Sequence, residues 1–197
     1  MSTIIKNFIT NNIQSQIFNN AIDSMEQRGI ADLVELNITN ALLENSNTSI
    51  KVTSPRSVRS IEDVLIEHDN KTYFVDIKTT DVNKKFSMPN LISIDRLRKL
   101  YKDENMYFLL VMVKYNSREL VSTDIKLIEE IGFDKQLKIQ NLGKGQLQLV
   151  NAHNKITKFV GNRDEWLNTL SLNAITFYNE LINKTSLRIN EWAVNEV

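Results

Sequence analysis

Residues 61–78 read IEDVLIEHDNKTYFVDIK, two runs rich in β-branched and aromatic residues on either side of the polar tetrapeptide His68-Asp69-Asn70-Lys71. Strand-forming residues over 61–67 and 72–78, interrupted by an Asp-Asn pair that tolerates positive φ, predict a tight β-hairpin. A turn centred on Asp69 and Asn70 sets position 63 opposite position 76. Asp63 then faces Asp76 with side chains about 4.5–5.5 Å apart, and period-two alternation carries Lys78 onto the same face.

Two carboxylates facing each other across a hairpin repel, at a cost of a few tenths to about 1 kcal/mol, so folding alone does not select them. A divalent cation reverses that sign. Two carboxylates and a main-chain carbonyl, such as that of Ile77, suit Mg²⁺, which keeps waters on its remaining positions. Beside it Lys78 would orient or help deprotonate an attacking water. On spacing alone a solvent-facing strand is the commoner origin of Asp-x-Lys. Here the tripeptide ends an apolar strand, a second acid opposes it, and a helix carrying Glu35 precedes the pair.

Outward from the hairpin, apolar positions Ile30, Leu33, Val34, Ile38, Ala41 and Leu42 recur at helical spacing and predict a helix from Gly29 to about Asn45. A second helix is expected after Pro89, through LISIDRLRKLY. MYFLLVMVKY, 106–115, reads as a strand buried on both faces. A polar stretch from Asp124 to Ile131 suggests a further helix, and Gln146 to Leu149 alternate as an exposed or half-buried strand. Asn162 and Glu165 have capping-box spacing ahead of a broad apolar stripe, which predicts a long C-terminal helix. The fold class is therefore mixed α/β, with a central mixed sheet flanked by helices.

The chain has 197 residues, 42% hydrophobic and 24% charged, which fits one domain over 1–197 and excludes wholesale disorder. Absence of cysteine excludes disulfides and thiolate zinc sites and implies a reducing compartment. With no signal-like amino terminus and no apolar run approaching the roughly 20 residues of a membrane span, a cytoplasmic protein is expected. His68 and His153 lack paired ligand spacing and read as ordinary polar surface residues. Net charge is zero, so any nucleic-acid affinity must come from local clusters such as Lys84, Lys85, Arg96, Arg98, Lys99 and Lys102.

Asp63, a hairpin, then Asp76-Ile77-Lys78 resembles the PD-(D/E)xK nuclease motif, with Glu62 where a proline usually precedes the first acid. DIKTTDVNKKFSMPNLIS, 76–93, resembles the active-site strand and following loop of HincII-like type II restriction endonucleases, including Pro89-Asn90 and the spacing of the two acids. LVELNITNALLEN resembles that family's first helix with Glu35 at its acid, GNRDEW resembles the start of its C-terminal helix, and NLGKGQLQ is similar to a segment recurring among restriction enzymes.

The resemblance implies a restriction-endonuclease-like fold in which Asp63, Asp76 and the Ile77 carbonyl hold Mg²⁺. Lys78 would be the catalytic lysine and Glu35 a supporting acid. The loop from Thr79 and Thr80 through Ser87 to Asn90 would approach DNA. Side-chain chemistry adds Gln146 and Gln148, with Asn90, as base readers, and Lys84, Lys85 and Lys144 as phosphate contacts. The expected partner is double-stranded DNA with a short palindromic site, cut by a homodimer, with neither a membrane nor an organic cofactor. A repair or junction-resolving nuclease of the same superfamily, and a non-catalytic DNA-binding module with a decayed nuclease fold, remain open.

Overall fold

The computed structural model describes residues 3–13, 27–55, 57, 60–116, 119–133, 136–153 and 155–194. It is a mixed α+β structure. Helices α1 (Thr3–Asn12) and α2 (Gln27–Glu44) lead into β1 (Lys51–Thr53), β2 (Val64–His68) and β3 (Lys71–Asp81). There follow β4 (Asn90–Ser93), α3 (Ile94–Leu100), β5 (Met106–Asn116), β6 (Glu119–Leu127), a 3₁₀ turn (Ile128–Glu130), β7 (Leu137–Gln140), β8 (Gln146–Leu149) and α4 (Arg163–Val194). The central sheet has the order β1-β2-β3-β5-β6, and a smaller sheet has the order β4-β8-β7.

The hairpin forms in the expected register, with Val64 opposite Val75 and His68 opposite Lys71. Asp69 and Asn70 take φ of 49° and 59°, the left-handed pair that a two-residue hairpin turn requires. The first strand begins at Val64 rather than Ile61 because the ladder changes donors there. Val64 already pairs with Val75, and Asp63 N–H donates to that same residue's carbonyl at 2.8 Å, so Asp63 lies past the paired strand and not directly opposite Asp76 as expected, while Ile77 N–H is taken by the Asp63 carboxylate at 2.6 Å.

Strand β3 is antiparallel to β2 and parallel to β5, from Thr72 beside Met106 to Asp81 beside Tyr115. The long β3–β5 crossover, which parallel pairing needs, contains β4 and α3. Strand β5 is buried on both faces, as its continuous apolar run predicts. Leu109, Val111 and Val113 join Ile5, Ile9, Val34, Ile38 and Leu42 in a core under α1 and α2. Phe108, Leu110 and Met112 point the other way, against Leu97, Leu147, Trp166 and Leu170. In α2 the expected positions Val34, Ile38 and Leu42 are fully buried, while the Ile30 side chain lies outside those described.

Two expected helices are replaced in part by strands. Asn90–Ser93 pairs with β8, and only then does Ser93 Oγ accept from Arg96 N–H and start α3. Glu119–Leu127 pairs with β5, so the segment after Asp124 is strand and then a single 3₁₀ turn. Both segments are short and half polar, and long-range pairing decides them over local periodicity. Gln146–Leu149 is the middle strand of its sheet and mostly buried, not exposed. His68, expected at the surface, is buried with Nδ1 2.9 Å from the Ser49 carbonyl oxygen.

Helix α4 begins with the expected reciprocal cap: Glu165 N–H donates to Asn162 Oδ1 at 3.0 Å and Asn162 N–H donates to Glu165 Oε2 at 2.8 Å. Its first turns are anchored by Trp166, fully buried, whose indole N–H donates to the Ile131 carbonyl at 2.9 Å. Trp166→Ala is expected to cost about 3–5 kcal/mol in urea unfolding, through the cavity and the orphaned carbonyl.

Candidate active site

The face of β3 that looks toward the smaller sheet carries Phe74, Asp76, Lys78 and Thr80, while Tyr73, Val75 and Ile77 fill the core on the other face. Apolar packing on the first face stops at Phe74 and charge begins. Asp76 is 6% exposed, so a carboxylate has been placed where the fold would otherwise bury an aliphatic side chain. Such a local conflict with folding marks functional positions.

Asp76 lies at the base of a cleft of about 650 Å³, which Asp63 and Lys78 also line. Lys78 Nζ donates to Asp76 Oδ1 at 2.6 Å and reaches the Ile77 carbonyl at 3.4 Å. Asp76 Oδ2 is buried and has no hydrogen-bond partner. Burial pushes the Asp76 carboxyl up to about 7, helped by the nearby charges of Asp63 and Glu35 and opposed by Lys78. Burial by itself would lower the Lys78 ammonium, but the attraction of Asp76, Asp63 and Glu35 wins and raises it. Lys78 therefore remains protonated at neutral pH, which suits orienting a water rather than taking its proton.

Glu35 reaches the site from α2. Its Oε1 accepts from Thr79 N–H and Thr79 Oγ1–H, each at 3.3 Å, and burial raises its carboxyl, with Lys78 pulling the other way. Three acids thus share one lysine.

The donor set fits a hard divalent cation. Asp76 offers an unpartnered buried oxygen, Asp63 offers its second carboxylate oxygen, and the Ile77 carbonyl lies beside them. Among the described residues no three His, Asp or Glu side chains group closely enough to hold an ion by themselves. An ion here would rely on the two carboxylates, the carbonyl and water, a set suited to Mg²⁺.

Of the expected nucleic-acid contacts, Asn90, Lys144 and Gln146 line the cleft. Gln148 is buried instead and donates to Asn90 Oδ1 at 2.8 Å and to the Met88 carbonyl at 3.1 Å, so it positions Asn90. Thr80 is buried and donates to Ser87 Oγ, while Thr79 is held by Glu35. Lys84 and Lys85 are exposed in the loop after β3, away from the cleft lining. The cleft wall also brings in Arg96 and Lys99 of α3, which belonged to the basic cluster without an assigned role. Their spacing of three residues, which puts them on one helix face, was the available signal.

Among the described residues no helix is long and apolar enough to cross a membrane. Neither a protein-family model nor any curated protein matches this sequence.

Proposed function

We propose that this protein is a Mg²⁺-dependent endonuclease of the restriction type, with a restriction-endonuclease-like fold, cutting phosphodiester bonds of double-stranded DNA at a short specific site. The observation that carries the reading is the buried, half-satisfied Asp76 carboxylate, ion-paired with Lys78 at the base of an open cleft that Asp63 and several cations also line.

Asp63, Asp76 and the Ile77 carbonyl would hold the ion, which supplies charge stabilisation to the phosphate undergoing attack. Lys78, kept protonated by its acids, orients the attacking water and donates hydrogen bonds to charge that develops on oxygen. Glu35 fixes the Thr79 main chain and so the end of the catalytic strand. Arg96, Lys99 and Lys144 meet backbone phosphates, and Asn90 and Gln146, which line the same cleft, read base edges. The resemblance of residues 76–93 supports a palindromic site, 5′-phosphate products and blunt ends.

Incubation of plasmid DNA with the protein in Mg²⁺ or in EDTA tests this. Discrete Mg²⁺-dependent fragments are expected. Nicking, exonucleolytic ladders or preference for branched substrates would move the assignment to a repair or junction-resolving nuclease. DNA binding with no cleavage in any divalent metal would leave a non-catalytic binding module.

A further inference from the structure

Asn90, Gln148 and Gln140, one from each strand of the smaller sheet, form a relay of side-chain amides with a single consistent placing of hydrogens. The Met88 carbonyl can only accept, so the end of the Gln148 amide 3.1 Å from it is the amino group. The second hydrogen of that group goes to Asn90 at 2.8 Å, which makes the Asn90 atom facing it the oxygen. Gln148 Oε1 in turn accepts from Gln140 Nε2 at 2.7 Å. Gln148 is buried with both hydrogens and its oxygen engaged, so reversing the relay would leave buried polar atoms unpaired. Asn90 is exposed on the cleft wall with its oxygen held by the sheet, and its amino group has no partner among the described residues. Gln146, which lines the same cleft, is fixed the other way round. Its amino group donates to the Leu91 carbonyl at 2.9 Å, so it offers the cleft an acceptor.

We propose that Asn90 acts as a donor only and selects a guanine in the major groove of the bound duplex, with Gln148 as the positioning residue that enforces this polarity. The assignment rests on the duplex-DNA reading of the cleft and adds the base that the cleft selects. Guanine N7 and O6 are neighbouring acceptors, the only such pair on a major-groove base edge, so an amino group donates to either without meeting a second donor. Adenine sets an acceptor, N7, beside a donor amine, N6, and an amide reads it with oxygen and nitrogen together. At Asn90 the oxygen already serves Gln148, so that mode costs the relay a hydrogen bond. Cytosine presents its N4 amine, which would meet the Asn90 amino group donor to donor, and thymine has one acceptor beside a methyl group. Gln146, with the opposite polarity, cannot take the place of Asn90 at a guanine edge.

Selection of duplexes from a randomised pool by the full chain in Ca²⁺ tests this through binding, without a need for cleavage. An enriched motif with a fixed guanine is expected. Replacing that guanine by 7-deazaguanine, which lacks the N7 acceptor, should weaken binding by roughly 5- to 150-fold in fluorescence anisotropy, whereas inosine, which keeps N7 and O6, should not. Asn90→Ala is expected to bind the guanine and 7-deazaguanine duplexes alike. Asn90→Asp, of the same shape but acceptor-only, should shift the enriched base at that position from guanine to cytosine. Gln148→Leu, once circular dichroism melting shows it folded, should bring guanine and adenine within about threefold of each other, a ratio that looser packing alone would not move. A motif without an N7-dependent guanine, or N7 dependence that persists in Asn90→Ala, overturns the proposal, and so does binding without sequence preference. Discrete plasmid fragments with no guanine requirement would leave the nuclease reading standing and remove this one. Guanine-dependent binding with no cleavage in Mg²⁺ would do the reverse, and no affinity for any duplex would remove both.

Discussion

Asp76→Asn is expected to abolish Mg²⁺-dependent cleavage and at the same time to stabilise the metal-free protein above neutral pH. On the proposed metal role, the loss of activity follows from exchanging an anionic ligand for a neutral amide where two carboxylates would hold the ion, and a drop of about 10³-fold or more in single-turnover cleavage is expected. The gain in stability follows from burial. In the folded protein the carboxyl is raised from 3.8 to about 7, so folding favours its protonated form. The stability this group contributes is fully present below pH 3.8 and is lost as pH rises toward about 7. Above that, the fold holds an ionised carboxylate that has Lys78 on one oxygen and nothing on the other. Asparagine removes the titration, and the variant should exceed wild type by roughly 2–4 kcal/mol at pH 8 in EDTA, with the difference vanishing near pH 4. Urea unfolding midpoints across that range measure it. A variant less stable than wild type at pH 8 would mean that the Lys78 ion pair outweighs the desolvation of Asp76.

Lys78→Ala separates catalysis from binding. Its ammonium sits 2.6 Å from Asp76 Oδ1 and counters three acids, whereas the other cleft cations, Arg96, Lys99 and Lys144, lie on other elements. Cleavage is expected to fall by about 10²–10⁴-fold, and duplex affinity by fluorescence anisotropy to change less than about threefold at fixed salt. The variant should also lose stability in EDTA at pH 8, on the order of 3 kcal/mol, because buried Asp76 is then left with acidic neighbours only. Because Asp76→Asn and Lys78→Ala move stability in opposite directions while both remove activity, the pair distinguishes catalytic loss from unfolding. Wild-type cleavage by Lys78→Ala would refute the water-orienting role.

Much of the site was legible because the decisive geometry is local. Asp69 and Asn70 set the hairpin turn, the turn sets the register from His68 to Val64, and Asp63, just past the paired strand, lines the same cleft as Asp76, with Lys78 two residues along. The Asn162–Glu165 cap and the doubly buried β5 were legible for the same reason, since each depends on residues within one or two turns of chain. Gln148 shows the limit. Its alternation with Leu147 and Leu149 marks a strand, but nothing nearby reveals that β4 and β7 flank that strand and turn the amide into a support for Asn90.

The amino-acid sequence by itself determined the hairpin, the placing of Asp76 and Lys78 on one face of β3 and the start of the last helix, because turn φ angles, strand alternation and capping spacings act over a few residues. Tertiary structure decided which of the polar residues share the cleft. The pairing of β4 with β8 brings Asn90 to the wall of the cleft that Asp76 lines, the placing of α3 adds Arg96 and Lys99, and α2 delivers Glu35 to Thr79 across a long stretch of chain. Those contacts are set by how sheets and helices bury their apolar faces against one another, a condition on the whole chain that no short window of sequence contains.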